Sequence, residues 1–176
     1  MQKKRVVITG LGVLCPVGNN TEESWKNILN GVSGIKTITN FDTEKQAVHF
    51  AGILQNFNEE DYIAKKESRK MGTFIKYTMI AADEAIQDSG IKANKDNEDR
   101  IGVSIGTGIG GLLDIEKNVN IFRDRGPRKL SPFCIPASIA NMASGNISIK
   151  YGFKGPNFAI ISACTTGTHN IGNSAR

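Results

Sequence analysis

The segment Ile160-Ile161-Ser162-Ala163-Cys164-Thr165-Thr166-Gly167 leaves the chain few options. The apolar run 158–161 reads as a short buried strand, and residue 165 onward reads as the opening of a helix, so Cys164 falls at a strand-to-helix turn. A sharp turn exposes a sulfur, and the unpaired N–H groups and positive dipole end of a helix favour a thiolate over a thiol. Ala163 and Gly167 leave room for a carbonyl to approach, and the Cys164 amide is placed to polarise its oxygen. The competing reading is a small buried hydrophobe, the usual state of a free cysteine.

A chain of 176 residues, 39% hydrophobic and 22% charged, has the means to bury one sizeable core, and one domain or part of one is expected over 1–176. Cys15, Cys134 and Cys164 form no CxxC pair and no metal-ligand spacing, so neither a disulfide framework nor a metal site is expected, and a reducing, intracellular (cytoplasmic) compartment fits. Lys3-Lys4-Arg5 before an apolar run superficially resembles a secretion signal. Gly10 and Gly12 interrupt that run, Leu14-Cys15-Pro16 is a poor cleavage site, and no stretch is long enough to span a bilayer. The net charge of +5 comes without a basic stripe of interleaved aromatics, which argues against a nucleic-acid partner.

In chain order, residues 6–12 read as a buried strand entering a glycine-rich turn. A dinucleotide fingerprint fails there, because Cys15 and then Pro16 stand where the third glycine and a running helix are needed. Asn20 with Glu23 three residues on predicts a helix cap, with Trp25, Ile28, Leu29 and Val32 at helical spacing and Gly31 as the stop. Residues 48–54 suggest a short strand carrying His49, which reads as structural. A helix is predicted over 68–89, with Met71, Phe74, Ile75, Thr78, Ala81, Ala82, Ala85 and Ile86 on one face and Gly90 as its stop. Lys65, Lys66, Arg69 and Lys70 at its start oppose the helix dipole, so they are not there for helix stability, and a solvated charged face is one reading of them.

Residues 100–105 read as another strand, 112–122 as a helix, and 138–150 as a helix rich in small residues. Between the first two, Gly106-Thr107-Gly108-Ile109-Gly110-Gly111 completes a G-x-G-x-x-G, so a nucleotide-binding module is one reading. The acid expected about twenty residues on is replaced by Leu130-Ser131-Pro132-Phe133. Arg123, Arg125, Arg128 and Lys129 make a second basic group around Gly126-Pro127. His169 follows Cys164 by five residues, and on one continuous helix that turns it about 140° from the nucleophile's face, which argues against it as a partner.

The 155–157 and 162–167 motifs, the opening over 6–18, the glycine loop 106–111 and the Pro127-Arg128-Lys129-Leu130-Ser131-Pro132-Phe133 run resemble the β-ketoacyl-acyl carrier protein synthases, and among them the elongating (type II) condensing enzymes of fatty acid synthesis. The resemblance implies an α/β, thiolase-like layered fold, of which this chain covers most of the first half. It implies that Cys164 takes an acyl group from acyl carrier protein and that the acyl-enzyme condenses with malonyl-acyl carrier protein to give a 3-oxoacyl product. It also implies a homodimer, no metal or nucleotide, and a phosphopantetheine arm that arrives on the substrate. By the same resemblance Lys66, Arg69, Lys70, Arg128 and Lys129 face the carrier protein, and Ile109 lines the acyl pocket. Cys134 stands where relatives often carry a large aromatic, a departure that suggests a roomier pocket. The family's two later histidines and lysine have no counterpart here and Arg176 falls inside a helix, so an N-terminal portion without full activity is expected, with a non-catalytic interaction fragment as the alternative.

Overall fold

The computed structural model describes residues 5–176. In chain order the elements are α1 (Thr21–Leu29), β1 (Ile35–Thr37), β2 (Phe50–Gly52), α2 (Lys65–Ser68), α3 (Thr73–Ser89), β3 (Val103–Ser104), α4 (Leu112–Arg125), α5 (Cys134–Ser138), α6 (Met142–Tyr151), β4 (Asn157–Phe158) and α7 (Thr166–Ser174). Single 3-10 turns cover Glu59–Asp61, Glu98–Arg100, Pro127–Lys129 and Ala163–Thr165. The mixture of helix and strand agrees with the expected α/β class. The chain forms two compact units, one of Ile8–Tyr62 with Ile80–Gly90, the other of Ile63–Met79 with Ile91–Arg176 and the described start of the chain up to Val7.

In the first unit, residues 8–14 form no strand, contrary to the expectation for 6–12, and Val6, Val7 and Ile8 are exposed. A strand needs a neighbour for its amides. Here the alternate amides of Leu11 and Val13 donate instead to the carboxylates of Asp88 and Glu84, each at 2.9 Å. Glu84 also accepts from the Thr21 amide at 2.7 Å, satisfying one of the orphan donors that open α1. Asn20 caps α1 as expected by accepting from the Glu23 amide, while the Glu23 carboxylate reaches back to the Asn19 amide at 2.7 Å. Gly31, at φ 65, follows the end of that helix. The α1 residues Trp25, Ile28 and Leu29 are exposed; the buried positions of this unit include Ser24 and Ile80. β1 and β2 pair antiparallel, Ile35 opposite Gly52, and His49 lies just before β2 with its ring on Thr43 Oγ1 at 3.1 Å.

The helix expected over 68–89 begins at Thr73 (α3), and Ser68 closes the short α2 before it. Residues 69–72 lie between the two, the basic residues Lys65 and Lys66 belong to α2, and Lys70 pairs with Glu67 at 2.7 Å. Gly72, directly before α3, is packed close to its neighbours: a Cβ there would run into the Ala137 carbonyl oxygen and meet the Asp114 carboxylate at 2.5 Å. The helix expected over 138–150 likewise begins late, at Met142, with Ser138 the last residue of the separate α5, and α6 ends before Gly152, which is in the left-handed conformation. The core gathers Ile75, Met79, Val103, Ala143, Ile147 and Phe153.

β3 and β4 run parallel, Val103 opposite Asn157, and β3 is shorter than the predicted 100–105. The Ile105 amide extends the pairing to the Phe158 carbonyl at 3.1 Å. Below the ladder Lys154 Nζ lies 2.6 Å from Glu98, and that hydrogen bond first, then the carboxylate's charge, holds the Lys154 ammonium above its ordinary pKa. Buried Ser144 fixes α6 to β4 by donating to Asn157 Oδ1 at 2.8 Å. The expected buried strand 158–161 is a correction: β4 ends at Phe158, and Phe158 and Ile161 are exposed because the sheet stops at two strands.

Close backbone approach is testable at Gly12, where a Cβ would run into the Ala81 carbonyl oxygen and lie 2.7 Å from the Ala85 nitrogen. Gly12→Ala is expected to destabilise the protein by about 1–3 kcal/mol in urea unfolding. Gly172→Ala meets nothing within 4 Å on α7 and should be neutral or stabilising by up to about 1 kcal/mol. Equal midpoints for the two variants would refute the close approach.

Candidate active site

Cys164 occupies the middle of the 3-10 turn Ala163–Thr165, directly before α7, and it is exposed. Among the described residues neither its sulfur nor its amide has a hydrogen-bond partner, so both are open to an incoming group. The turn is built from four side chains beyond it and one from β3. The Ser162 amide donates to Thr166 Oγ1 at 2.9 Å, and the Ser162 carbonyl accepts from the amide and hydroxyl of Thr165 at 3.2 and 2.8 Å. Asn170, only 7% exposed, accepts from the Ser104 hydroxyl at 2.8 Å and donates to the Thr166 and Ile160 carbonyls at 2.8 and 3.4 Å. The seat of α7 is thereby joined to β3.

The backbone turns most sharply at Ala163, which has φ 51, a left-handed conformation that costs a non-glycine residue about 1–3 kcal/mol and persists only where its surroundings impose it. The glycine loop backs the same turn. A Cβ at Gly106 would run into the Ile160 carbonyl oxygen, the Asn170 amide and the Thr166 methyl, and one at Gly108 would lie 3.7 Å from Ala163 Cα. Gly111 similarly accommodates Ser138, whose carbonyl accepts the Gly111 amide at 2.9 Å.

His169 forms no hydrogen bond with Cys164, as its angle from the nucleophile's face led us to expect. With a 3-10 turn before α7, the His169 ring reaches back to Ser162, its Nδ1 2.6 Å from Oγ. The signal was present as Ser162-x3-Thr166 and Ser162-x6-His169 spacing, which puts both side chains over the entering residue once the turn is allowed for.

The other singled-out residues do not gather at Cys164. Arg69, Lys129 and Cys134 line one recess of about 500 Å³ together with Lys76, Lys117 and Ser131. Cys134 is half-buried there at the start of α5. Ile109 lines a separate, mainly apolar groove of about 290 Å³ with Phe74, Tyr77, Leu112 and Leu113. Lys66 and Arg128 are exposed, and Lys70 is half-buried against Glu67. Among the described residues no group of three or more His, Cys, Asp or Glu side chains could hold a metal ion, and no helix is long and apolar enough to cross a membrane.

The family profile of the β-ketoacyl synthase N-terminal domain matches residues 3–176. The chain belongs to that family. A curated β-ketoacyl synthase relative, 3-oxoacyl-[acyl-carrier-protein] synthase 2 of Vibrio cholerae serotype O1, is 52% identical over 176 residues, covering 100% of this chain and 42% of the relative. The chain therefore spans less than half the length of the curated synthase it matches. Among solved structures, a type II PKS ketosynthase in complex with its acyl-carrier protein superposes with a TM-score of 0.78 at 24% identity, covering 96% of this chain and 45% of that one. The ishigamide ketosynthase/chain length factor gives a TM-score of 0.77 at 27% identity over 91% of this chain and 40% of that one. The ketosynthase fold, thiolase-like in its layering, is thus the one that the described elements make up in part.

The Asn170 bridge gives a test of how the synthase turn is held. Asn170→Asp keeps the acceptor for Ser104 but points a carboxylate oxygen at the Ile160 and Thr166 carbonyls, and should cost about 1–3 kcal/mol in urea unfolding at neutral pH. The cost should shrink as acid protonates the new carboxyl and restores a donor. A variant as stable as the parent at pH 7 would remove Asn170 from the account.

Proposed function

We propose that Cys164 is the acylated residue of a 3-oxoacyl-acyl carrier protein synthase of fatty acid chain elongation. The carrying observation is the exposed sulfur, with an open amide beside it, at the mouth of α7. The thiolate of Cys164 attacks the carbonyl of an acyl-acyl carrier protein thioester, and the pantetheine thiolate leaves. The Cys164 amide donates to the oxygen as charge collects on it. Malonyl-acyl carrier protein then loses carbon dioxide, and the resulting carbanion attacks the acyl-enzyme, expelling the Cys164 thiolate and giving 3-oxoacyl-acyl carrier protein. A covalent intermediate divides one difficult condensation into two easier steps.

The reading is supported by the names of the curated relatives, which are 3-oxoacyl-[acyl-carrier-protein] synthases, and by the neighbour that binds its own acyl-carrier protein. Two of the five carrier-facing residues, Arg69 and Lys129, share one recess, and Lys76 and Lys117 add to its charge. The acidic carrier docks on this basic face, and Ile109 contributes to the path of the acyl chain. The phosphopantetheine arm comes with the substrate, so no resident cofactor is assigned. The glycine loop has a packing role against Ile160 and Ala163, which leaves the nucleotide-binding reading without a need to meet. The working protein is placed in the cytoplasm as a homodimer. Within these residues the site equips acyl transfer to Cys164.

Two experiments test the proposal. In the intact protein, incubation with acyl-acyl carrier protein should add the acyl mass to the peptide bearing Cys164, and Cys164→Ala should abolish the adduct; an adduct on Cys15 or Cys134 would assign the nucleophile elsewhere. Charge reversal at Lys66, Arg69, Arg128 and Lys129 should weaken carrier binding by at least tenfold at low salt, with the parent's affinity falling steeply as salt rises. Unchanged affinity would remove the docking face.

A further inference from the structure

Ser162 has three polar groups, and every one is taken by a residue no more than seven positions ahead: the amide by Thr166, the carbonyl by Thr165, the hydroxyl by His169. The residue between this clip and the nucleophile is Ala163, at φ 51. Nothing in the chemistry of an alanine favours that conformation, so it must be imposed by what holds Ser162 on one side and α7 on the other. The Thr165 and Thr166 bonds close within one turn of the chain. The His169 bond is different in kind: it comes from the fourth residue of α7, seven positions past Ser162, and is the shortest of the four at 2.6 Å.

We propose that His169 is a positioning residue for Cys164, acting through Ser162. Its Nδ1 engages the Ser162 hydroxyl and ties the entering segment to the body of α7, so that Ala163 stays in the left-handed conformation and the Cys164 sulfur stays presented at the helix start. His169 does not touch the substrate and takes no proton from Cys164. The assignment rests on Cys164 as the reactive group, but not on the identity of the acyl donor.

The test uses a small electrophile in place of any carrier. Iodoacetamide alkylation of the intact protein is followed site by site by peptide mass spectrometry, with Cys15 and Cys134 as internal references. His169→Ala and Ser162→Ala are each expected to slow alkylation at Cys164 by about tenfold, the loss of one good hydrogen bond. The double variant should be no slower than the slower single, because both remove the same contact. His169→Asn places an amide oxygen where Nδ1 stands and should restore most of the rate. His169→Gln reaches the position of the other ring nitrogen and should not. Ser162→Thr keeps the hydroxyl and should stay near the parent.

A His169→Ala rate within twofold of the parent, equal rescue by Asn and Gln, or no rescue by Asn would each overturn the proposal. Should the alanine variants alter Cys15 and Cys134 as well, the fold has been disturbed, and the Asn against Gln comparison decides. A parent whose Cys164 alkylates readily but accepts no acyl group would sink the synthase reading while leaving the positioning role standing.

Discussion

One buried amide holds the candidate site in place. Asn170 takes the Ser104 hydroxyl with its oxygen and gives its two protons to the carbonyls of Thr166 and Ile160, so a strand, the turn that follows the second strand, and the helix that follows the turn all meet at one side chain. An amide suits the place because it carries both a donor and an acceptor on a rigid plane; a carboxylate lacks the donors and an aliphatic side chain lacks both. Gly106 is a consequence, since the space that a side chain would need there is already filled by Asn170, Thr166 and the Ile160 carbonyl. The glycine pattern that looks like a phosphate cradle in one dimension is a packing requirement in three.

Glu84 has a comparable role in the other unit. Its two oxygens serve the Val13 and Thr21 amides, one from an extended segment and one from the start of α1, so a single carboxylate replaces part of a strand partner and part of a helix cap. Just before Val13, the Leu11 amide is likewise taken by a side chain, Asp88, and Val6, Val7 and Ile8 of the expected strand are exposed.

What the sequence made legible follows from how far each feature reaches along the chain. The cap at Asn20, the stops at Gly31 and Gly90, and the place of Cys164 before a helix depend on near neighbours and were readable from residue type and spacing. The two predicted buried strands depend on partners elsewhere, and periodicity cannot count how many partners are present; the sheet at β3 and β4 has only two strands. The helix begins at Thr73 and not at 68, and the close packing of Gly72 on Ala137, a contact between distant residues, was equally out of reach of periodicity. Met79 and Ile80, both 5% exposed, were passed over in favour of the small residues around them. His169 meets Ser162 and not Cys164, because positions seven apart lie two turns apart on one helix face.

The Ser162 bonds span three to seven positions, whereas Ser104 and Asn170 are 66 positions apart. Shape and location are therefore set on different length scales. The bend around the sulfur can form early in folding, from a handful of adjacent residues, while its docking against β3 must wait until the intervening helices have closed a long loop. Drift in a distant part of the chain would then move the nucleophile bodily without unbending it, and such a protein would keep a reactive thiol that no longer meets its thioester.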